Sequence, residues 1–238
     1  NAGFLHAVFH VTDRINLTGG LRYTEESKDY SYNRTAYSGP PQVAGITNNY
    51  DGSRWDYRAA ADFKITDDVL AYAQFSTGFK GGGAIPRPIV PSHALPSFPF
   101  SRFGPEKLKS YELGLKTTWL DRRLRLNVAA FTSDYSGIQL EINDCGNGGP
   151  FVFCIAQANV GSARIKGLEG ELTAQPLDGL TFDASASYLD FGYKSVNVAT
   201  GVQLGMVAPL TPKWKWSVGA QYEADLGDMG TLTPRIDA

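Results

Sequence analysis

Between Leu108 and Tyr135 the chain alternates two residues at a time. Tyr111, Leu113, Leu115, Thr117 and Trp119 fall on one side, and Ser110, Glu112, Gly114, Lys116 and Thr118 on the other. Asp121-Arg122-Arg123 breaks the pattern, after which Leu124, Leu126, Val128 and Ala130 alternate with Arg125, Asn127 and Ala129. Successive side chains of a strand point to opposite faces, so the stretch predicts a β-hairpin with one apolar and one polar face. The apolar face carries no charge over roughly ten residues, the length and purity expected of a strand with lipid on one side and water on the other.

The same unit recurs. Short polar turns at Thr12-Asp13-Arg14, Thr66-Asp67-Asp68, Leu120-Asp121-Arg122, Leu177-Asp178-Gly179 and Leu226-Gly227-Asp228 return about every 55 residues, as a repeated unit does. Between them lie segments rich in Gly, Pro, Asn and Ser, near 27–53, 80–106, 142–158 and 194–210, which read as long irregular loops. Two-faced strands flank them: Trp55–Ile65, Val69–Ser76 (with Leu70 out of phase), Leu180–Tyr188 and Trp214–Leu226 are clear. Phe4–Val11, Ile15–Tyr23, Ile165–Gln175 and Thr231–Ile236 are weaker. With the central hairpin this makes about ten sequential strands.

A soluble sandwich or propeller would not sort its loops so that every second turn is short, and its strands average about five or six residues. Aromatics also gather near strand ends (Trp55, Tyr57, Trp119, Tyr135, Tyr188, Trp214, Trp216), where a membrane barrel places its interfacial girdles. The reading is therefore all-β: an antiparallel transmembrane β-barrel segment with short periplasmic turns and long extracellular loops. A hydrophobic content of 42% is no objection, since a wall polar inside and apolar outside averages to an ordinary value. No run of about 18 apolar residues exists to make a transmembrane helix. The net charge of −2 gives no reason to expect nucleic acid. The first residues, Asn1 to His6, hold neither an initiator Met nor a signal sequence, as expected of a processed chain or a fragment.

Cys145 and Cys154 share one Gly-rich segment, where a local pair reads as a disulfide in an oxidising compartment or as two free thiols. No His or further Cys lies beside them to make a metal site.

The blocks Phe75–Gly83, Phe103–Thr117, Leu126–Leu140, Asn159–Leu172 and Pro209–Trp214, in this order and spacing, resemble the barrel of a TonB-dependent outer-membrane receptor. The resemblance spans nearly the whole chain. It implies a 22-stranded barrel around an N-terminal plug, of which residues 1–238 supply about ten strands, without plug or closing strands. It also implies energised uptake across the bacterial outer membrane. A scarce ligand, with a ferric siderophore favoured over cobalamin or an oligosaccharide, binds outside, and the TonB–ExbB–ExbD complex acts through the plug. The rival is a passive porin-like channel.

No cofactor and no catalytic constellation is expected. Gly81-Gly82-Gly83 lacks the Lys-Ser/Thr of a phosphate loop. Glu169 and Glu171, about 7 Å apart on one strand face, read as lumen charges rather than a glycosidase pair. His6 and His10 are too far apart on a strand, about 13 Å, to share a metal. Binding residues are sought in the loops: Tyr30, Tyr32, Arg34, Tyr37 and Tyr50 in the first long segment, and Lys80, Arg87, His93, Phe98, Phe100, Arg102 and Phe103 in the second. Aromatic rings beside cations suit catecholate or carboxylate groups.

Overall fold

The computed structural model describes residues 1–34, 43–84, 102–144 and 153–238; at 34, 43–46, 143–144 and 153–156 only the backbone is described. The elements are β1 (Ala2–Thr12), β2 (Ile15–Arg34), β3 (Val43–Thr66), β4 (Val69–Lys80), β5 (Gly83–Ala84), β6 (Arg102–Phe103), β7 (Glu106–Trp119), β8 (Leu124–Asp144), β9 (Phe153–Leu177), β10 (Leu180–Val196), β11 (Trp214–Tyr222), β12 (Ala224–Asp225), β13 (Thr231–Leu232) and β14 (Arg235–Asp237). Ten of them form one antiparallel sheet in the order β1-β2-β3-β4-β7-β8-β9-β10-β11-β14, so each strand of this sheet pairs with the next one that the chain adds to it.

Register shows why the sheet is a membrane wall. One rung runs Phe9, Leu17, Ala61, Ala73, Leu113, Ala130, Leu168, Tyr188, Trp214, apolar or aromatic from β1 to β11. The next runs His10, Asn16, Asp62, Tyr72, Gly114, Ala129, Glu169, Ser187, Lys215 and faces the other way. The large apolar side chains stand in the open, with Phe9 67%, Leu113 64%, Leu168 59% and Trp214 66% exposed. In water such a continuous apolar face would drive aggregation; against hydrocarbon it costs nothing.

Aromatic pairs mark the upper boundary of that face. Tyr23–Trp55, Phe75–Tyr111 and Tyr188–Trp214 each bring ring centroids to 4.9 Å. The belt steps down four residues along β3, from Trp55 to the Ala59–Phe75 rung, and two more along β7, from Tyr111 to the Leu113 rung. If the belt lies in one membrane plane, the stagger is about one residue per strand. At ~3.3 Å per residue and ~4.8 Å between strands, that tilts the strands by roughly 35°, as barrel closure requires.

The short turns fall where expected, at Asp13–Arg14, Asp67–Asp68, Leu120–Arg123 and Asp178–Gly179. In the third, Leu120, Asp121 and Arg122 all take positive φ (54, 52 and 69°), and the Arg123 N–H closes the turn on the Leu120 carbonyl at 3.0 Å.

Two expectations are corrected. The segments near 27–53 and 142–158 are not irregular throughout. β2 runs on to Arg34, β3 begins at Val43, β8 reaches Asp144 and β9 starts at Phe153. On β2 and β3 polar side chains stand on both faces above the bilayer, and composition alone reads them as loop. The expected last strand, Thr231–Ile236, is divided. Thr231–Leu232 turns back onto Ala224–Asp225, and beyond Pro234, which has no N–H to give a ladder, only Arg235–Asp237 joins the wall. Arg235 fastens that short strand by reaching over β11 to Asp183 with bonds of 2.8 and 3.0 Å.

Above the belt the packing inverts. Ile138, Val160, Ala163 and Tyr193 form a small buried core with Tyr135, Leu140, Phe191 and Val202 against it. The segment after β10 folds onto this core through a 3₁₀ turn at Val198–Thr200, with the Asn197 N–H bonded to the Val160 carbonyl at 2.8 Å. Burial pushes the Tyr193 phenol above its ordinary pKa.

Candidate functional site: the rim and the lumen wall

On the inward face of β2, Thr24, Glu26, Lys28, Tyr30 and Tyr32 follow one another at strand spacing, opposite Asn48 and Tyr50 of β3. The Lys28 ammonium lies 5.3 Å from the centre of the Tyr50 ring, 3.2 Å from Glu26 Oε2 and donates to the Gly82 carbonyl at 3.1 Å. The chain leaving β4 thus crosses directly over this face.

Gly81-Gly82-Gly83 is what allows the crossing. None of the three takes positive φ, so freedom of the backbone is not their use; close approach is. A Cβ on Gly81 would collide with the Glu26 carboxylate. On Gly82 it would sit 2.5 Å from the Tyr50 ring and the Phe103 carbonyl oxygen, and on Gly83 2.5 Å from the Tyr30 hydroxyl. β5 then pairs with β6 through Gly83–Phe103 and Ala84–Arg102, closing the base of the second long loop.

That base is held from two further sides. Arg102 Nε donates to Asn48 Oδ1 and its Nη2 to Asn49 Oδ1, both at 2.6 Å. From β8, Gln139, only 5% exposed, donates through Nε2 to the carbonyls of Gly81 (3.0 Å) and Gly104 (2.9 Å), while its N–H donates to Glu106 at 2.8 Å. From β9, Asn159 accepts from the Gly104 N–H at 2.6 Å and donates to the carbonyls of Gly104 (2.9 Å) and Gly137 (2.6 Å). Both legs of the loop are therefore pinned to the inner rim.

Of the residues singled out in the sequence, the structure brings Tyr30, Tyr50, Arg102 and Phe103 to this one place. Tyr32 continues the same face, and exposed Lys80 ends β4 opposite Glu106. Tyr37, Arg87, His93, Phe98, Phe100 and Cys145 lie outside the described residues. Arg34 and Cys154 are placed by backbone only, so the Cys145–Cys154 pairing also lies outside them. Glu26, Lys28, Asn48, Asn49, Gln139 and Asn159 were not singled out. For the first two the signal existed, because the alternation of Tyr30 and Tyr32 extends back through them. The amides bond to carbonyls distant in sequence, and no local pattern announces that.

Lower in the lumen, the Tyr72 hydroxyl donates to Glu112 at 2.7 Å and its ring lies across Gly114, with the Lys116 ammonium 5.6 Å from the ring centre. Arg58 donates to Gln74 at 3.2 Å. Glu169 and Glu171 line the same wall, and Asn127 reaches Glu171 at 3.5 Å. Among the described residues no group of three or more His, Cys, Asp or Glu could hold a metal. Two hollows of about 900 and 770 Å³ lie among outward residues such as Ala71, Ala73, Leu113 and Ala130, where acyl chains rather than a polar ligand fit.

The fold matches known proteins. The family model described as TonB dependent receptor-like, beta-barrel, matches residues 1–236. The pesticin receptor of Yersinia pestis is 26% identical over 79% of this chain, which covers 25% of that protein; the chain thus spans about a quarter of the curated relative's length. Among solved structures, the ferric yersiniabactin uptake receptor FyuA of Yersinia pestis superposes with a TM-score of 0.76 at 21% identity, over 99% of this chain and 33% of that one. The copper transporter OprC superposes at 0.68 with 19% identity, over 94% and 32%. Likenesses at such identities concern the fold, and one wall serves differently named transporters. The chain belongs to the TonB-dependent receptors, as part of the β-barrel of an outer-membrane protein.

Proposed function

We propose that this wall serves energised uptake of a scarce ligand, with an iron–siderophore complex as cargo. The observation that carries the reading is the inward Lys28–Tyr30–Tyr50 face, roofed by the loop base at Gly81–Ala84 and Arg102–Phe103. It sets phenol rings, with the Glu26-paired Lys28 ammonium beside them, at the mouth of the lumen, the chemistry that meets catecholate or carboxylate groups. The name of the ferric yersiniabactin uptake receptor supports the same cargo class. Ligand contacts at Tyr32, Arg34, Tyr37, Lys80, Arg87, His93 and Phe98 belong to this proposal. So do a plug inside the barrel, the TonB–ExbB–ExbD complex as the partner that moves it, and a role in transport rather than catalysis.

The test is uptake of radiolabelled ferric siderophores by iron-starved cells carrying the full-length receptor, with and without a protonophore. Accumulation that collapses with the protonophore supports the reading; accumulation that persists identifies a passive pore. Gly82→Val, which displaces the loop base from Tyr50, should weaken binding of that siderophore at least about tenfold.

A further inference from the structure

The outward face changes character one step above the aromatic belt. On β7, Lys107 and Lys109 continue the exposed side that carries Tyr111, Leu113 and Leu115. Across the sheet, Lys109 stands opposite Asp134, Asp134 opposite Arg164, and two residues down Thr132 stands opposite Lys166. Arg164 grips Asp134 with two bonds of 2.6 and 2.9 Å and holds its carboxyl below the usual range, with Lys194 and Lys109 adding to the effect. Among the described residues Lys107, Lys109, Lys166 and Lys194 make no ion pair. At the spacing of neighbouring strands and alternate residues, the group spreads over roughly 15 by 13 Å, with the Asp134–Arg164 pair between Lys109 and Lys194.

Its height decides what it meets. The cluster adjoins the Phe75–Tyr111 belt on the lipid side, so it lies at the headgroups of the extracellular leaflet, not in the lumen. A phosphate there would find lysines below and beside it, with Asp134 already neutralised by Arg164. The matching faces elsewhere on the belt are different: beside Trp55 the outward positions of β3 are Ser53 and Asp51. We propose that Lys107, Lys109 and Lys194, positioned by the Asp134–Arg164 pair, form a docking site for the phosphate of an extracellular-leaflet lipid. The wall then orders a specific lipid at one side of the barrel, beside the loop base that Gln139 and Asn159 pin.

The experiment uses the full-length receptor extracted from outer membranes in a non-ionic detergent. Co-purified phosphorylated lipid is counted by native mass spectrometry, and binding is then measured in phosphatidylcholine vesicles with and without a bisphosphorylated glycolipid. Lys107→Gln with Lys109→Gln should lose affinity for the glycolipid about 30-fold. Lys64→Gln with Lys215→Gln, which removes the same charge from the lumen wall, should leave it unchanged. Raising salt from about 0.05 to 1 M should release the lipid from the wild-type protein, since exposed charges are screened. Equal retention by both double variants, or retention that ignores salt, would overturn the site. Loss in the lumen variant alone would do the same.

Discussion

The belt below Tyr111 and the rim above it are built from the same strands, yet they obey opposite rules. In the belt Leu113 and Leu168 are open and the polar rung faces inward. In the rim, on continuations of β8, β9 and β10, Val160 is fully buried and Ala163 nearly so. The solvent differs, not the strand. Hydrocarbon accepts an apolar face without any packing partner, whereas strands rising into water must bury their apolar side chains against each other. A mutation should therefore be judged by its height on the wall before its chemistry.

The largest expected effect comes from contradicting the belt. Leu115→Arg places a charge midway between Tyr111 and Trp119, near mid-membrane, and should destabilise the full-length barrel by about 2–4 kcal/mol in urea unfolding from vesicles. The same substitution at Lys109 should be neutral, within about 0.5 kcal/mol; a large loss there would erase the boundary. In the rim, Val160→Ala leaves a cavity and should cost roughly 2 kcal/mol of local stability, read as faster amide exchange confined to β8–β10. Exchange that rises equally in the belt would mean that the two regions are one cooperative unit. Tyr72→Phe removes the lumen bond to Glu112 and should cost about 1 kcal/mol in the same unfolding assay. Smallest, and of opposite sign, Arg122→Gly relieves one left-handed residue in the β7–β8 turn. It should gain about 0.5–1 kcal/mol, seen as a later urea midpoint with unchanged slope.

The same contrast explains what could be read in advance. In the belt, Tyr111 to Trp119 and Trp55 to Ile65 announced strand, face and environment together, because lipid demands an uninterrupted apolar side. In the rim part of β2 and β3 both faces are polar, so Glu26–Tyr32 and Asn48–Ser53 look like loop although they are ladder. The glycines at 81–83 were visible, but their reason was not: it lies in Tyr30 and Tyr50, some 30 to 50 residues earlier. The latch at Gln139 and Asn159 depends on carbonyls of Gly81, Gly104 and Gly137, a tertiary fact without a local period.

The central claim, that alternate residues of one strand meet lipid and water, is tested most directly by single spin labels along β7. In a full-length receptor whose Cys145 and Cys154 are replaced by Ser, cysteines are placed one at a time at Tyr111, Glu112, Leu113, Gly114, Leu115 and Lys116 and labelled in vesicles. Oxygen, which concentrates in lipid, should relax the labels at 111, 113 and 115, and a water-soluble nickel chelate those at 112, 114 and 116. A profile without that alternation, or with its phase reversed, would contradict the account.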